Sequence, residues 1–133
     1  MEIELREVFS PRELGSPTLR DRATVSTKTR ITKHYVATFE AKEIAFVAID
    51  RPENKSYLCV YELFVEPSQR RHGYGAAIIN RCRLIANQNG FKKICLVPHC
   101  IEASGSEQKL RAWYVGLGFA QSPDQSDLLE IVF

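Results

Sequence analysis

The hydrophobic pattern of the chain is dominated by an almost unbroken apolar run from Tyr57 to Val65. Such a run predicts a strand that is covered on both faces. The residues that follow the next loop repeat with the spacing of one helical face, and they are Ile78, Ile79, Cys82, Ile85 and Ala86. This order of strand, loop 70–76 and helix points free backbone N–H groups, and the positive end of a helix dipole, into the loop. A loop of this kind is a natural binding site for a phosphate group.

Shorter elements are predicted before this strand. Alternation of apolar and polar residues over Glu2–Val8 predicts a first strand. Two serine–proline pairs, which begin at Ser10 and Ser16, each combine a helix N-cap with a proline at the first helical position and predict two short helices. Residues 24–33 are polar and basic. We interpret them as a solvated loop, with a mobile flap over a binding site as the alternative.

Five further segments have strand-like composition and are separated by turn signals or helical patterns. They are residues 34–39, 44–49, 93–97, 119–120 and 128–133. The first two predict a hairpin, and the third should run parallel to the strand at 57–65 because a helix connects them. Ser106 is placed to cap a last helix that carries Tyr114. The predicted fold class is therefore α/β (α+β), with a mixed central sheet flanked by helices.

Composition and charge limit the classes of protein to which the chain can belong. The 133 residues suffice for a single domain, 1–133, and the hydrophobic content of 44% and charged content of 26% are ordinary for a globular chain. A net charge of +2 is too small to argue for nucleic acid or a membrane surface, and no segment approaches the ~20 apolar residues of a membrane span. The alternating start of the chain is not that of a signal peptide. We therefore expect a cytoplasmic protein with no nucleic-acid or membrane partner.

The four cysteines, Cys59, Cys82, Cys95 and Cys100, show no CxxC spacing, and most of them lie in apolar patterns. We interpret them as small core residues in a reducing compartment rather than as disulfides or metal ligands. The three histidines are not spaced as a metal site, so no metal is expected.

The glycine loop has to be compared with the known phosphate-binding motifs. A dinucleotide fingerprint requires a small residue three positions after Gly75, where Ile78 stands, and an acidic residue at the end of the next strand, which is absent. The Gly-Lys-Ser/Thr of a P-loop is also absent. What remains is arginine, two spacers, glycine, a spacer and glycine, from Arg70 through Gly73 to Gly75. The alternative interpretation is a tight turn with incidental basic residues.

Two parts of the chain resemble the GNAT N-acetyltransferase superfamily. Motif A of that family, Gln/Arg-x-x-Gly-x-Gly/Ala after an apolar strand end, resembles the sequence LFVEPSQRRHGYG at 63–75. The family's C-terminal signature, an aromatic–tyrosine pair followed by Gly-Phe, is similar to the sequence WYVGLGF at 113–119. The resemblance covers residues 44–119, whereas the first forty residues match only in outline.

The resemblance implies that acetyl-CoA is the cosubstrate. The main-chain amides that would hold its pyrophosphate are those of Arg71, His72, Gly73, Tyr74, Gly75 and Ala76. Arg70 matches the polar position of the motif, and Arg71 adds positive charge. The two glycines let the backbone approach the phosphates without a Cβ in the way. The pantetheine arm would pair with the end of the central strand at Phe64 and Val65, where a backbone N–H polarises the thioester carbonyl.

The implied reaction is direct transfer of the acetyl group to a primary amine of a small molecule, peptide or protein. Tyr114 occupies the position of the family's tyrosine, which donates a proton to the leaving thiolate. The alternative is a half-buried helix aromatic with no chemical role. Glu62 is the one charged residue of the buried strand, and desolvation would make it a stronger base for the incoming ammonium. In the family the base often lies one residue earlier, which is Tyr61 here, and adjacent strand residues face opposite sides of the sheet. Glu62 could therefore instead be the structural partner of an arginine.

Other features leave alternatives open. Glu107 stands where many members carry an asparagine that contacts pantetheine, so that contact is not implied here. The neighbouring His99 and Cys100 could suggest nucleophilic catalysis, but no third group is evident that would orient them. The alternative function is a non-catalytic, acyl-CoA-binding regulatory module. The acceptor is not readable from the sequence, and an exposed final strand at 128–133 could pair across a homodimer.

Overall fold

The computed structural model of the protein describes residues 1–99 and 105–133. Over these residues seven strands form one sheet: β1 (Glu4–Val8), β2 (Thr32–Phe39), β3 (Lys42–Asp50), β4 (Tyr57–Val65), β5 (Lys93–Leu96), β6 (Ala120–Gln121) and β7 (Leu129–Val132). The same part of the chain contains three α-helices: α1 (Pro17–Val25), α2 (Tyr74–Gln88) and α3 (Glu107–Gly116). Single 3₁₀ turns lie at Pro11–Glu13 and Pro67–Gln69. This mixed sheet with flanking helices confirms the predicted fold class.

The strand order in the sheet is β1-β2-β3-β4-β5-β7-β6. Neighbouring strands are antiparallel except β4 and β5, which run parallel and are paired from Tyr57 opposite Lys93 to Cys59 opposite Cys95. Helix α2 lies between these two strands in the chain, as the sequence predicts, because a parallel pair needs a crossover connection.

The final strand is not at the edge of the sheet. β7 lies between β5 and β6, and its residues Leu129 and Glu130 pair with both neighbours. Because β6 has only two residues, the outer edge of β7 is not covered by β6 beyond Glu130. The expectation of an exposed final strand is therefore wrong for the first half of β7. The homodimer itself stays a prediction.

Two predicted boundaries differ from the structure. The polar segment 24–33 is a shorter loop than predicted, because α1 runs to Val25 and β2 already begins at Thr32. Thr32 pairs with Asp50 at the end of β3, which extends the hairpin. The hairpin turn is also tighter than the predicted four residues, since Glu40 and Ala41 have φ values of 52° and 64°. Two successive positive φ values are typical of a two-residue hairpin turn, so the strand resumes directly afterwards.

Strand β4 contains a β-bulge at Tyr61. The adjacent β3 residues Ala48 and Ile49 pair with Glu62 and Val60, which leaves Tyr61 as the extra residue. A bulge bends the strand and increases its twist. β4 continues from Val60 to Val65 beyond its last pair with β5. The two parallel strands therefore separate, and a cavity occupies the space between them.

The core consists of two layers, one on each face of the sheet. One face packs against α2, through Ile78, Ile79 and Cys82, and the same cluster includes Tyr114 of α3. The opposite face packs against α1 and the segment before it, in a cluster formed by Val8, Leu14, Leu19, Ala23, Val36, Phe46 and Ala48. Each face of the central strands is therefore covered, as the continuous apolar run of β4 predicts. Within the two described ranges, no helix combines the length and apolar character needed to cross a membrane.

Candidate functional site

A cavity of about 910 Å³ follows β4 along most of its length. It is lined by β4 from Cys59 to Val65, by the loop that precedes α2, by Trp113 and Tyr114 of α3, and by Leu96 at the end of β5. Its volume is in the range of sites that bind cofactors and small molecules. The parallel strands separate at one end of this cavity, and the N-terminus of α2 forms the other end.

The N-terminus of α2 presents unsatisfied backbone donors to the cavity. The helix is preceded by Gly73, whose φ of 78° is in the left-handed region that favours glycine. The first helical hydrogen bond runs from the N–H of Ala77 to the carbonyl of Gly73, at 3.1 Å. The N–H groups of Tyr74, Gly75 and Ala76 therefore have no partner within the helix, and all three residues line the cavity. Together with the helix dipole, they make this end suited to an anion.

Gly75 has a close neighbour that the sequence did not reveal. A Cβ at this position would lie 3.2 Å from two carbon atoms of the Trp113 indole ring, whereas a Cβ at Gly73 would meet no atom within 4 Å. Gly75 therefore allows α3 to approach the start of α2. Trp113 was part of the resembling C-terminal sequence, but its contact with the glycine loop was not predicted.

The basic residues of the loop have different surroundings. The Nε of Arg70 donates to the carbonyl of Val65, at 3.1 Å, and its guanidinium lies 5.4 Å from the ring centre of Phe64. Arg70 therefore contacts the two β4 residues that were predicted to bind pantetheine. Arg71 lines the cavity and has a φ of 66°, which is uncommon outside glycine. His72 is exposed and does not line the cavity; its ring stacks on Tyr74 with the ring centres 5.5 Å apart.

Tyr114 projects from α3 into the layer between α2 and the sheet and also lines the cavity. It is only 7% exposed. Burial, with a smaller contribution from the nearby thiol of Cys82, raises the pKa of Tyr114 to about 12. The phenol is therefore protonated at neutral pH and can donate a hydrogen bond to a group in the cavity.

Glu62 lies on β4 next to the bulge and is 8% exposed. Its carboxylate accepts hydrogen bonds from Nε and a terminal nitrogen of Arg22, the latter at 3.0 Å, and from the hydroxyl of Ser26, at 3.0 Å. The hydrogen bond to Glu62 raises the pKa of Arg22. Glu62 therefore has the arginine partner that was one of its two predicted alternatives, and it lines the cavity as well. The neighbouring Tyr61 is exposed and lines the same cavity, because the bulge interrupts the regular alternation of side chains along β4.

Several residues of the cavity were missed by sequence reasoning. Arg22, Asp50 and Cys59 all line it near the end where β4 and β5 separate. A lone glutamate in a buried strand does signal a basic partner, but Arg22 is 40 residues away in the sequence, so the pattern could not identify it. Glu107 lies in the first turn of α3, whose cap is Ser106, and does not line the cavity.

Other candidate chemistry is limited. His99 lines the cavity, whereas Cys100 lies outside the described residues, so the predicted alternative of a His99–Cys100 pair is not tested. Residues 1–99 and 105–133 contain no group of three or more His, Cys, Asp or Glu side chains arranged to hold a metal ion. The thiols of Cys59, Cys82 and Cys95 are free.

Comparisons with known proteins identify the family of the chain and relatives of its fold. A sequence profile described as an acetyltransferase (GNAT) domain matches residues 30–121, which is more than half of the chain. A comparison with curated protein sequences finds no match.

Solved structures share the fold at low sequence identity. A GNAT family acetyltransferase from Elizabethkingia anophelis with acetyl-CoA bound has a TM-score of 0.64 and 16% identity, over 98% of each chain. The PaiA N-acetyltransferase from Thermoplasma acidophilum, in complex with coenzyme A, has a TM-score of 0.62 and 14% identity, over the full length of both chains. AtaTR bound with acetyl-CoA has a TM-score of 0.68 and 12% identity, over 98% of this chain and 92% of that chain.

Proposed function

Because the chain belongs to the GNAT acetyltransferase family, we propose that it is an N-acetyltransferase that transfers the acetyl group of acetyl-CoA directly to a primary amine. The observation that carries the proposal is a single cavity that joins the N-terminus of α2 to the open edge of β4 and to Tyr114. An anion site, a strand edge and a protonated phenol are the three features that this reaction uses. The acceptor is a small molecule or an amine of a peptide or protein.

The cofactor is proposed to lie along the length of the cavity. Its pyrophosphate binds the backbone N–H groups of residues 71–76, with Arg71 adding positive charge. The pantetheine arm extends along β4 at Phe64 and Val65, where β5 no longer pairs with the strand. Arg70 supports this end of β4 through its hydrogen bond to Val65. The thioester then lies between the bulge of β4 and Tyr114.

The proposed reaction is attack of the neutral amine nitrogen on the thioester carbonyl carbon, followed by cleavage of the C–S bond. A backbone N–H of β4 donates to the carbonyl oxygen as it gains negative charge. Tyr114 donates to the sulfur as the thiolate leaves. Since the pKa of Tyr114 is about 12 and that of an ordinary thiol is about 8.5, the phenol stabilises the thiolate by a hydrogen bond and holds its own proton more tightly than the thiol would.

The proton of the incoming ammonium passes to Glu62 or to water. Both oxygens of the Glu62 carboxylate already accept hydrogen bonds, from Arg22 and Ser26. A carboxylate has about four lone-pair positions, and these bonds occupy three of them, so one position on Oε2 remains to take a proton. This engaged carboxylate is the observation that favours the second candidate function, an acyl-CoA-binding regulatory module without turnover.

One experiment separates the two functions. The purified protein is titrated with acetyl-CoA while its melting temperature is followed, and release of free CoA is then measured with peptides, polyamines, amino acids and aminoglycosides. We expect a rise in melting temperature, because ligand binding to the native state stabilises it, and amine-dependent CoA release. Binding without release on any amine supports the regulatory module. Absence of both binding and release contradicts both functions.

The role of Glu62 is tested by Glu62→Gln, with Arg22→Gln as the matched variant on the other side of the ion pair. If Glu62 is the base, Glu62→Gln lowers kcat per folded molecule much more than Arg22→Gln does, because only Glu62→Gln removes the proton acceptor. If the pair is structural, both variants lower the melting temperature and neither changes kcat per folded molecule.

A further inference from the structure

Two thiols lie side by side at the point where β4 and β5 separate. Cys59 is paired in register with Cys95, and this is the last pair of the parallel ladder. Residues paired in register project from the same face, and adjacent strands lie about 4.7–4.9 Å apart. That separation is within the Cα–Cα range of about 4.4–6.8 Å that a disulfide spans. The Cα spacing therefore allows a bridge, which forms once the two Cβ atoms approach to about 3.5–4.5 Å.

The two thiols have different environments. Cys59 is partly exposed and lines the cavity, whereas Cys95 is 1% exposed. A hydrogen bond between the thiols lowers the pKa of Cys59 and raises that of Cys95. A thiol that is accessible and forms a thiolate readily is the one that reacts first, and its buried neighbour is placed to react second. Cys82 provides a contrast, because it is buried in the core and burial raises its pKa to about 12.

We propose that Cys59 and Cys95 form a thiol–disulfide exchange site at the base of the cavity, with a low-molecular-weight disulfide as its co-reactant. Cys59 is the attacking thiol and Cys95 is the resolving thiol. The site is reached through the same cavity that holds the glycine loop at its other end. It adds a modification site to the protein that does not depend on acetyl transfer.

The exchange has two balanced steps. The Cys59 thiolate attacks one sulfur of the small disulfide, an S–S bond forms between them, and the other half leaves as a thiolate. Cys95 then attacks the Cys59 sulfur, the protein disulfide forms, and the second half leaves as a thiolate. The protons of Cys59 and Cys95 end on the two released thiols. The two cysteine sulfurs are oxidised, and the small disulfide is reduced.

The bridge has a structural consequence. It ties β4 to β5 at the apex of the gap between them and replaces a free thiol in the cavity wall. The mixed disulfide formed first places the co-reactant's own group inside the cavity. Both species reduce the space for an acceptor next to Glu62. We expect oxidation to lower turnover and a reductant to restore it.

Glutathione disulfide and CoA disulfide are the probes for the test, and the protein carries Cys100→Ser. This background is needed because trypsin leaves Cys95 and Cys100 in one peptide, 94–109, while Cys59 lies in peptide 56–70. Non-reducing digestion followed by mass spectrometry is expected to find these two peptides joined, with the loss of two hydrogens. Cys95→Ala should accumulate the mixed disulfide on Cys59, and Cys59→Ser should leave Cys95 unmodified.

Cys82→Ser is the matched control, since it removes a buried thiol of the same chain outside the pair and should leave the bridge intact. Saturating CoA should slow the reaction of Cys59 if the probe enters through the cavity. The proposal is overturned if Cys59 stays unmodified in the Cys95→Ala variant, or if its mixed disulfide persists when Cys95 is present. It is also overturned if Cys82 reacts as fast as Cys59. Each of these readouts is a covalent mass, so the outcome is independent of whether acetyl transfer is found.

Discussion

The two ends of the cavity are built from different kinds of groups. At the α2 end, the donors are backbone N–H groups of Tyr74, Gly75 and Ala76, held in place by the helix itself. At the opposite end, the polar atoms belong to side chains such as Glu62 and Arg22, which come from β4 and α1 and bond to each other. The first end is complete within one stretch of about a dozen residues. The second end exists only after distant parts of the chain have packed together.

This difference suggests that one end of the cavity binds the phosphate and the other end selects the acceptor. A site of backbone amides recognises the shape and charge of a phosphate and depends on few side chains. A site of side chains can be altered one residue at a time, so it is where acceptor choice is expected to lie. Tyr114 of α3 lines the same cavity and contributes a protonated hydroxyl to it.

The largest effect is expected from Tyr114→Phe, which removes the hydroxyl and keeps the ring. Loss of one positioned hydrogen-bond donor to a developing negative charge typically costs about 10²–10³ in rate, so kcat should fall within that range. Binding of acetyl-CoA, measured by calorimetry, should stay unchanged because the ring still packs against Phe119 and Trp113.

The control for this variant is Tyr35→Phe, because Tyr35 is a partly buried tyrosine of β2 that does not line the cavity. It should retain full activity. Equal loss of binding and of turnover in Tyr114→Phe contradicts the assignment of the hydroxyl to the reaction.

The two ends of the cavity also differ in how much of them can be predicted from the sequence. The strand, loop and helix from Tyr57 to Gln88 follow from a continuous apolar run, glycines and helical periodicity, all of which are local signals. The pair of Glu62 and Arg22 depends on α1 packing across the sheet, and contacts of that separation leave no periodic signal. The bulge at Tyr61 was missed for the same reason, since it is defined only by the register with β3. The extension of β2 to Thr32 likewise depends on its partner Asp50 and overrode the polar composition of the segment.

The second prediction concerns the pH dependence of stability. The pKa of Tyr114 is about 12 in the folded protein and about 10 in an unfolded chain. Above pH 10 the unfolded state loses this proton first, so stability falls as the pH rises from about 10 to about 12 and is fully present below 10. The two-unit difference corresponds to about 2–3 kcal/mol.

Urea denaturation at several alkaline pH values measures this loss of unfolding free energy. The free energy of unfolding of Tyr114→Phe should fall less steeply with pH than that of the unmodified chain. Parallel curves for the two proteins contradict the burial of an uncharged phenol in the cavity wall.

The third prediction is made at the α2 end with Gly75→Val. The Cβ alone would lie 3.2 Å from the Trp113 ring, and the two added methyl groups force the ring away from its position in the cavity wall. Overpacking of this kind lowers the free energy of unfolding by about 1–3 kcal/mol, and displacement of the ring from the cavity wall should also weaken the binding of CoA. Gly116→Val is the control, since a Cβ at Gly116 meets no atom within 4 Å, and it should bind CoA normally. Normal binding by Gly75→Val contradicts the need for the close contact between α2 and α3.

The smallest effect on CoA binding is expected from Arg71→Gly. This variant tests directly whether backbone amides or side chains recognise the pyrophosphate. Arg71 has a φ of 66°, a conformation that glycine adopts without strain. If backbone amides hold the pyrophosphate, removing this exposed charge should weaken CoA binding by only about 0.2–1 kcal/mol, which is less than tenfold. The matched variant Arg71→Ala loses the same charge but keeps the strained conformation, so it should bind CoA equally well and be less stable than Arg71→Gly in thermal denaturation. A loss of binding well above tenfold in both variants would mean that the Arg71 side chain is the principal anion ligand, and the two ends of the cavity would then both depend on side chains.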